Sequence, residues 1–128
     1  MRAIVIYNRG AVEEVEINNY KDYYKHLDAG MFDVVRVRWL GRDISIFVDD
    51  EGMLKRNFGR DVIGYPQPLF GNLVICGGVD HECETLPLDK VFTTKNMHEF
   101  VSNIHDRRIN NAINEKTNGR LQRHNRAS

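Results

Sequence analysis

Two alternating runs set back to back constrain this chain more than any other feature. From Phe32 to Leu40, Val35, Val37 and Trp39 fall on one side of an extended strand and Val34, Arg36 and Arg38 on the other. Gly41 marks a turn. Asp43 to Asp49 then places Ile44, Ile46 and Val48 on a common face. A helix cannot hold either pattern on one stripe, so the pair predicts a β-hairpin. Asp49-Asp50-Glu51-Gly52 closes it, because Asp initiates turns and Gly tolerates positive φ.

The rest of the chain is organised around that hairpin. Ala3 to Tyr7 is β-rich and ends at the turn signal Asn8-Arg9-Gly10; Val12 to Ile17 alternates Val and Ile with acids. Together they predict an opening hairpin. The period then changes. Tyr20, Tyr23, Tyr24 and Leu27 share one helical face, which predicts a helix over about 19–29, capped by Asn18 or Asn19 and stopped by Gly30. Met53 to Gly64 reads as a short helical turn and a loop, and Pro66 and Pro68 interrupt regular structure. Leu73 to Cys76, between Gly71 and Gly77-Gly78, predicts a buried strand, and Asp80 to Pro87 a polar loop. Thr93 or Thr94 is placed to cap a long helix with a stripe of Met97, Phe100, Val101 and Ile104, continued by Ile109, Ala112 and Ile113 and ended by Gly119. No internal repeat is present.

This order predicts an α+β fold: a small, mostly antiparallel sheet of about five strands, one packed helix and a C-terminal helical extension. The division expected is 1–92 for the core domain and 93–128 for the extension, with a basic, mobile end. The chain has 128 residues, 41% hydrophobic and 28% charged, enough for one core without disulfides or metal. Net charge is zero, yet residues 105–128 hold six basic residues against two acids, leaving 1–104 at −4 and the tail at +4. The N-terminus lacks a signal-peptide pattern, no stretch is long enough to span a membrane, and two cysteines at this spacing match no standard metal pair. A cytoplasmic protein is expected.

The residues also carry a family likeness. Val34-Val35-Arg36-Val37 leads into Ile46-Phe47-Val48-Asp49-Asp50-Glu51-Gly52-Met53-Leu54-Lys55, then Asn57, then Gly71-Asn72-Leu73-Val74-Ile75, with Leu86-Pro87-Leu88 after a loop. Over roughly residues 1–92 this resembles a family of small domains of unknown function, widespread in bacteriophages and mobile elements and also found in bacteria. Members run strand, acidic-Gly-Leu turn, Asn-containing loop, then a Gly-Asn and Val/Ile strand. This chain departs from them after Lys55, where Arg56-Asn57-Phe58 replaces a Leu-Pro-Pro-Asn-like stretch. The resemblance implies no established activity. It implies a phage accessory protein acting on host machinery, with Asp49, Asp50, Glu51, Gly52, Asn57, Gly71 and Asn72 as the motif residues.

Four groups of side chains are candidates for chemistry. Asp49, Asp50 and Glu51 offer carboxylates to a hard cation, although consecutive strand residues point to opposite faces and the turn itself needs Asp and Gly. Asp80-His81-Glu82-Cys83 with Cys76 offers metal or nucleophile chemistry, but a zinc set needs His98 or His105 to complete it, and Cys76 suits a core strand. Tyr20, Tyr23, Tyr24 and Trp39 suit either base stacking or a core face, and the helical spacing favours the core. Arg36, Arg38 and Arg42 form a candidate phosphate row, extended by Arg107, Arg108, Lys116, Arg120 and Arg123, or else an exposed sheet face paired with nearby acids. No phosphate loop and no serine-nucleophile elbow is present.

The reading favoured by the sequence is non-enzymatic binding of a host protein, in host modulation or counter-defence, with no catalytic residues, metal or cofactor and no membrane. The helical extension would serve as a second contact or as an arm for self-association. Nucleic-acid binding through the arginine row and tail is the second reading. Small-molecule capture or an unrecognised hydrolase at the 77–84 loop and acidic turn is the third.

Overall fold

In a computed structural model of the chain, residues 1–55 and 57–103 are described. Both predicted hairpins are present. β1 (Arg2–Ile6) pairs antiparallel with β2 (Val12–Glu16), and β3 (Phe32–Trp39) with β4 (Arg42–Asp49). Between them lies β7 (Leu73–Gly77), antiparallel to both β1 and β4, so the order across the five-stranded sheet is β2-β1-β7-β4-β3. Leu73 to Cys76 is wholly buried because this is the central strand. Its unbroken apolar run is what a strand covered on both faces requires.

The two faces have separate cores. Ile4, Ile6, Ile44, Ile46, Val48, Leu73 and Ile75 point to one side; Ala3, Val5, Phe47, Val74 and Cys76 point to the other. The second side is covered by α1 (Lys21–Leu27), which lays Tyr23 and Leu27 on the sheet. Tyr23 stacks on Phe47 at 4.0 Å between ring centroids. Asn19 accepts a bond from the Lys21 amide and Asp22 from the amides of Asn18 and Asn19, so these side chains hold the entry to the helix although Tyr20 occupies the cap position. The helix ends at Asp28 in a left-handed conformation, φ 53°, two residues before the predicted Gly30. An Asp can adopt this conformation because its short polar side chain tolerates it.

The first side is covered by a second sheet that the sequence pattern does not announce. β5 (Gly59–Val62) lies between β6 (Leu69–Phe70) and β8 (Val101–Asn103), all antiparallel. The loop expected over Met53–Gly64 thus contains β5, and β6 starts directly after Pro68. The long helix expected from Thr93 is absent over the described residues. Met97–Glu99 forms one 3-10 turn, and β8 follows. Thr93 does not cap; its amide donates to Asn96 Oδ1. Met97, Phe100 and Val101, spaced as a helical stripe, reach the core from this turn and strand together with Leu88 and Phe92. The spacing misleads because a tight turn followed by a strand can bring the same positions to one side. Residues 104–128, where the remainder of the helical extension was expected, lie outside the described residues.

Arg2 fastens the 88–92 segment over this core. Its guanidinium donates to the carbonyls of Leu88, Asp89 and Phe92 and to Glu14 Oε1, and its own carbonyl accepts from the Leu88 amide. Trp39 stacks on both Phe92 and Phe100, at 5.1 and 4.7 Å.

Candidate functional site

The acidic turn is built around Asp49. Its side chain is only 2% exposed, accepts from the Glu51 amide at 2.9 Å through Oδ1, and pairs with Lys55 Nζ at 2.7 Å through Oδ2. The hydrogen bond to Asp49 raises the pKa of the Lys55 ammonium, and the charges of Asp49, Glu51 and Asp28 push the same way. Ligand atoms of Asp49, Asp50 and Glu51 all lie within 4.8 Å of one another, closer than alternation along a strand suggests, because the chain turns here. Each oxygen of Asp49 already accepts one bond, so the side chain anchors the turn. Gly52 is obligatory. A Cβ there would lie 2.2 Å from the Phe70 carbonyl oxygen, so the turn rests on β6 backbone to backbone.

The other motif residues tie elements together. Asn72 Oδ1 accepts from the Asn8 amide at 2.6 Å, and its Nδ2 donates to the His26 carbonyl at 2.9 Å, joining the β1–β2 turn to the end of α1. Asn8 Oδ1 in turn accepts from the Phe58 amide. Gly71, at φ +93°, would place a Cβ 2.9 Å from Asn57 Nδ2, so these two motif positions are neighbours. Arg60, missed by sequence reasoning, is 5% exposed and donates through Nη2 to the carbonyls of Tyr7 and Asn8. Burial depresses its guanidinium pKa. An arginine in a segment read as a loop carries no signal in sequence that it will be buried.

The 77–87 segment forms a small hairpin. Val79 bridges Thr85, and Asp80 Oδ1 accepts from the amides of Glu82 and Glu84. His81 is exposed, 3.7 Å from Glu82, and Cys83 is exposed while Cys76 is buried in β7. His98 is exposed, with Nδ1 2.9 Å from the Lys95 carbonyl; His105 lies outside the described residues. Burial raises the Cys76 thiol to about 12, and the Tyr23 phenol beside it is also pushed up, chiefly by burial. The two glycines permit close backbone approach. A Cβ on Gly77 would fall 2.3 Å from the Pro87 carbonyl oxygen and one on Gly78 2.7 Å from Asp43 Cβ.

The arginine row is divided. Arg38 pairs with Asp43 at 2.8 Å, on the α1 side of the sheet. Arg42 lies on the opposite side and pairs with Asp89 at 2.8 Å. These contacts, with that of the Val91 amide foremost, hold the Asp89 carboxyl below its usual range. Arg36 is exposed and has no ion pair among the described residues. Arg107, Arg108, Lys116, Arg120 and Arg123 lie outside them.

Among the described residues, what the fold leaves open is the outer edge of β3. Leu40 and Gly41 both have positive φ, 51° and 74°, giving the tight two-residue turn that makes Trp39 and Arg42 a hydrogen-bonded pair. By alternation Val37, Val35 and Asp33 also bond to β4, while Phe32, Val34, Arg36 and Arg38 turn their peptide groups outward. The Arg38 carbonyl is approached by Gly64; from Phe32 to Arg36 the outward groups have no backbone partner among the described residues. By contrast β2, the other edge, is a short strand carrying Glu13, Glu14 and Glu16. Charges of that kind discourage pairing.

Two surfaces flank the open edge. On the α1 side, Tyr20 is 64% exposed and meets Tyr24 edge-on at 6.3 Å; Tyr24 contacts Phe32 at 4.9 Å, and Met31 is 64% exposed. The tyrosine stripe is thus split: Tyr23 is in the core, Tyr20 in solvent, and Tyr24 at the rim. On the other side lies a cleft of about 370 Å³. Asp33, Val35 and Val48 line its sheet wall, and Tyr65, Pro68 and Leu69 its far wall. Asp33 and Asp50 are exposed and have no ion pair among the described residues.

These features define a class: a small α+β domain whose antiparallel sheet is covered on both faces and, among the described residues, open along one long strand. Within that class, the chain belongs to the family described as a domain of unknown function, DUF3846, whose model matches residues 1–100. The match takes in the likeness carried by the Asp49–Lys55 turn and the Gly71–Ile75 strand and continues through Met97 and Phe100. Neither a curated protein nor a solved structure matches the chain. Among the described residues no helix is long and apolar enough to cross a membrane.

Proposed function

We propose that this chain is a non-enzymatic accessory protein, of the kind carried by phages and mobile elements, that works by binding a host protein. The supporting observation is the exposed Tyr20–Tyr24–Met31 surface beside the β3 edge, which has no strand partner among the described residues. Exposed aromatic side chains supply contact area at low cost in conformational entropy, and an open edge supplies backbone hydrogen bonds. The candidate polar groups nearby (Asp49, Asn72, Arg38 and Arg42) already serve turns, ties and ion pairs, which favours binding over catalysis. The basic segment 105–128 is proposed as a second contact or an arm for self-association.

The test is affinity purification of tagged protein from expressing bacterial cells, with Tyr20→Ala/Tyr24→Ala in parallel and quantification by mass spectrometry. A protein recovered in stoichiometric amount with the parent chain and depleted with the variant is expected. Equal recovery with both, or recovery of nothing stoichiometric, contradicts the reading.

One observation favours a second reading. Arg36 has no ion pair among the described residues, and the +4 charge of residues 105–128 would add to it at a phosphate backbone. Nucleic-acid binding by this route falls steeply with added salt, and removing residues 105–128 flattens that slope. No mobility shift with DNA or RNA at low salt dismisses it. The third reading, small-molecule capture expected at the 77–84 loop and the acidic turn, is better supported at the cleft that Asp49 and Asp50 of that turn line with Asp33 and Tyr65, and thermal-shift screening tests it.

A further inference from the structure

We infer that the β3 edge recognises its partner by strand addition, taking an extended segment in which an apolar side chain enters the cleft and a Lys or Arg lies next to it. This rests on the protein-binding reading above and specifies its mode. The outward N–H and C=O groups of Phe32, Val34 and Arg36 form a row that a new strand can complete. The row ends at Arg38, whose carbonyl Gly64 approaches closely enough that a Cβ there would lie 3.6 Å from the oxygen; this sets how far the added strand can extend.

Side chains of an added strand alternate between the two faces. Those on the cleft side lie next to Asp33 and Val35. Val35, Val48, Tyr65 and Leu69 form an apolar wall there, and Asp33 and Asp50 stand at the rim without ion-pair partners among the described residues. An apolar residue fits beside Val35, and a cation beside Asp33 meets two carboxylates in a partly sheltered position. Those on the α1 side meet Phe32, Val34 and the Tyr24 ring, which suit apolar or aromatic side chains.

The probe is a random peptide display library selected against the full chain. Enrichment of sequences alternating apolar residues with Lys or Arg is expected. Val34→Pro removes one outward N–H while leaving the β3–β4 ladder intact, since that amide points away from β4. It should weaken the selected peptides by about tenfold or more, with far-UV circular dichroism and melting confirming the fold. Asp33→Lys/Asp50→Lys should shift selection from basic to acidic residues. Selected peptides that bind Val34→Pro as well as the parent chain, that show no alternation, or that keep their basic preference against the double variant overturn the mode, as does a library that yields no binder. Loss of the mode with retained, tyrosine-dependent capture of a host protein leaves the broader reading standing, so the two fail separately.

Discussion

Gly52 sits where the chain has no room for a side chain, and the reason is the Phe70 carbonyl beneath it. Because the obstacle is backbone, it cannot move aside as a side chain would. Gly52→Ala should therefore destabilise the fold by about 3 kcal/mol, the upper end for overpacking, read as a lower denaturation midpoint. Gly41→Ala meets open space and pays only for positive φ, about 1 kcal/mol. The two cysteines should separate by reactivity. Cys83 is exposed and Cys76 is buried with its thiol raised to about 12, so a thiol reagent should label one site in the native protein and both after unfolding. Because the folded thiol and the Tyr23 phenol titrate above their ordinary values, the stabilisation they report is intact below the unfolded thiol range. It is lost as pH rises through the folded values, so stability should decline from about pH 9.0 toward about 12. A chemical-denaturation series across that window checks the sign, and rising stability would contradict it.

At the scale of elements, strands were the legible part and their company was not. The alternation in Phe32–Leu40 and Asp43–Asp49, and the apolar run Leu73–Cys76, predict β3, β4 and β7 because burial on one or both faces is written in the period. The place of β7 between β1 and β4 depends on contacts distant in sequence, which no local pattern records. β5 and β6 are short, and Arg60, Asp61 and Pro68 disguise them. The Met97–Val101 spacing suggests a helix, yet one 3-10 turn and β8 place the same side chains in the core. At the candidate site, Tyr20 and Tyr24 were visible as aromatic residues, but only packing shows which of the stripe is buried. Replacing Tyr23 by Ala should cost about 3 kcal/mol as its stacking on Phe47 is lost, while Tyr20→Ala should change stability little and reduce binding. Thermal melts paired with binding assays separate the two effects.

For the whole molecule, two packed cores on either side of one sheet leave few positions free to act. The core beneath the second sheet depends on residues late in the chain: Phe92, Met97 and Phe100 are each no more than 1% exposed. Phe100→Ala should lower stability by about 4 kcal/mol, because a large ring is lost from beneath Trp39. A chain ending at residue 92 should fail to fold cooperatively in a denaturant titration. Among the described residues the sheet is closed on its faces by α1 and by the second sheet and guarded along β2 by acids, which leaves β3 as the long edge without a strand partner, the edge proposed to meet another chain. Amide hydrogen exchange of the free protein, resolved residue by residue, tests that claim most directly. Fast exchange at Val34 and Arg36 with slow exchange at Val35 and Val37 is the predicted result; uniform protection along β3 would mean that its edge is already covered and would contradict the account.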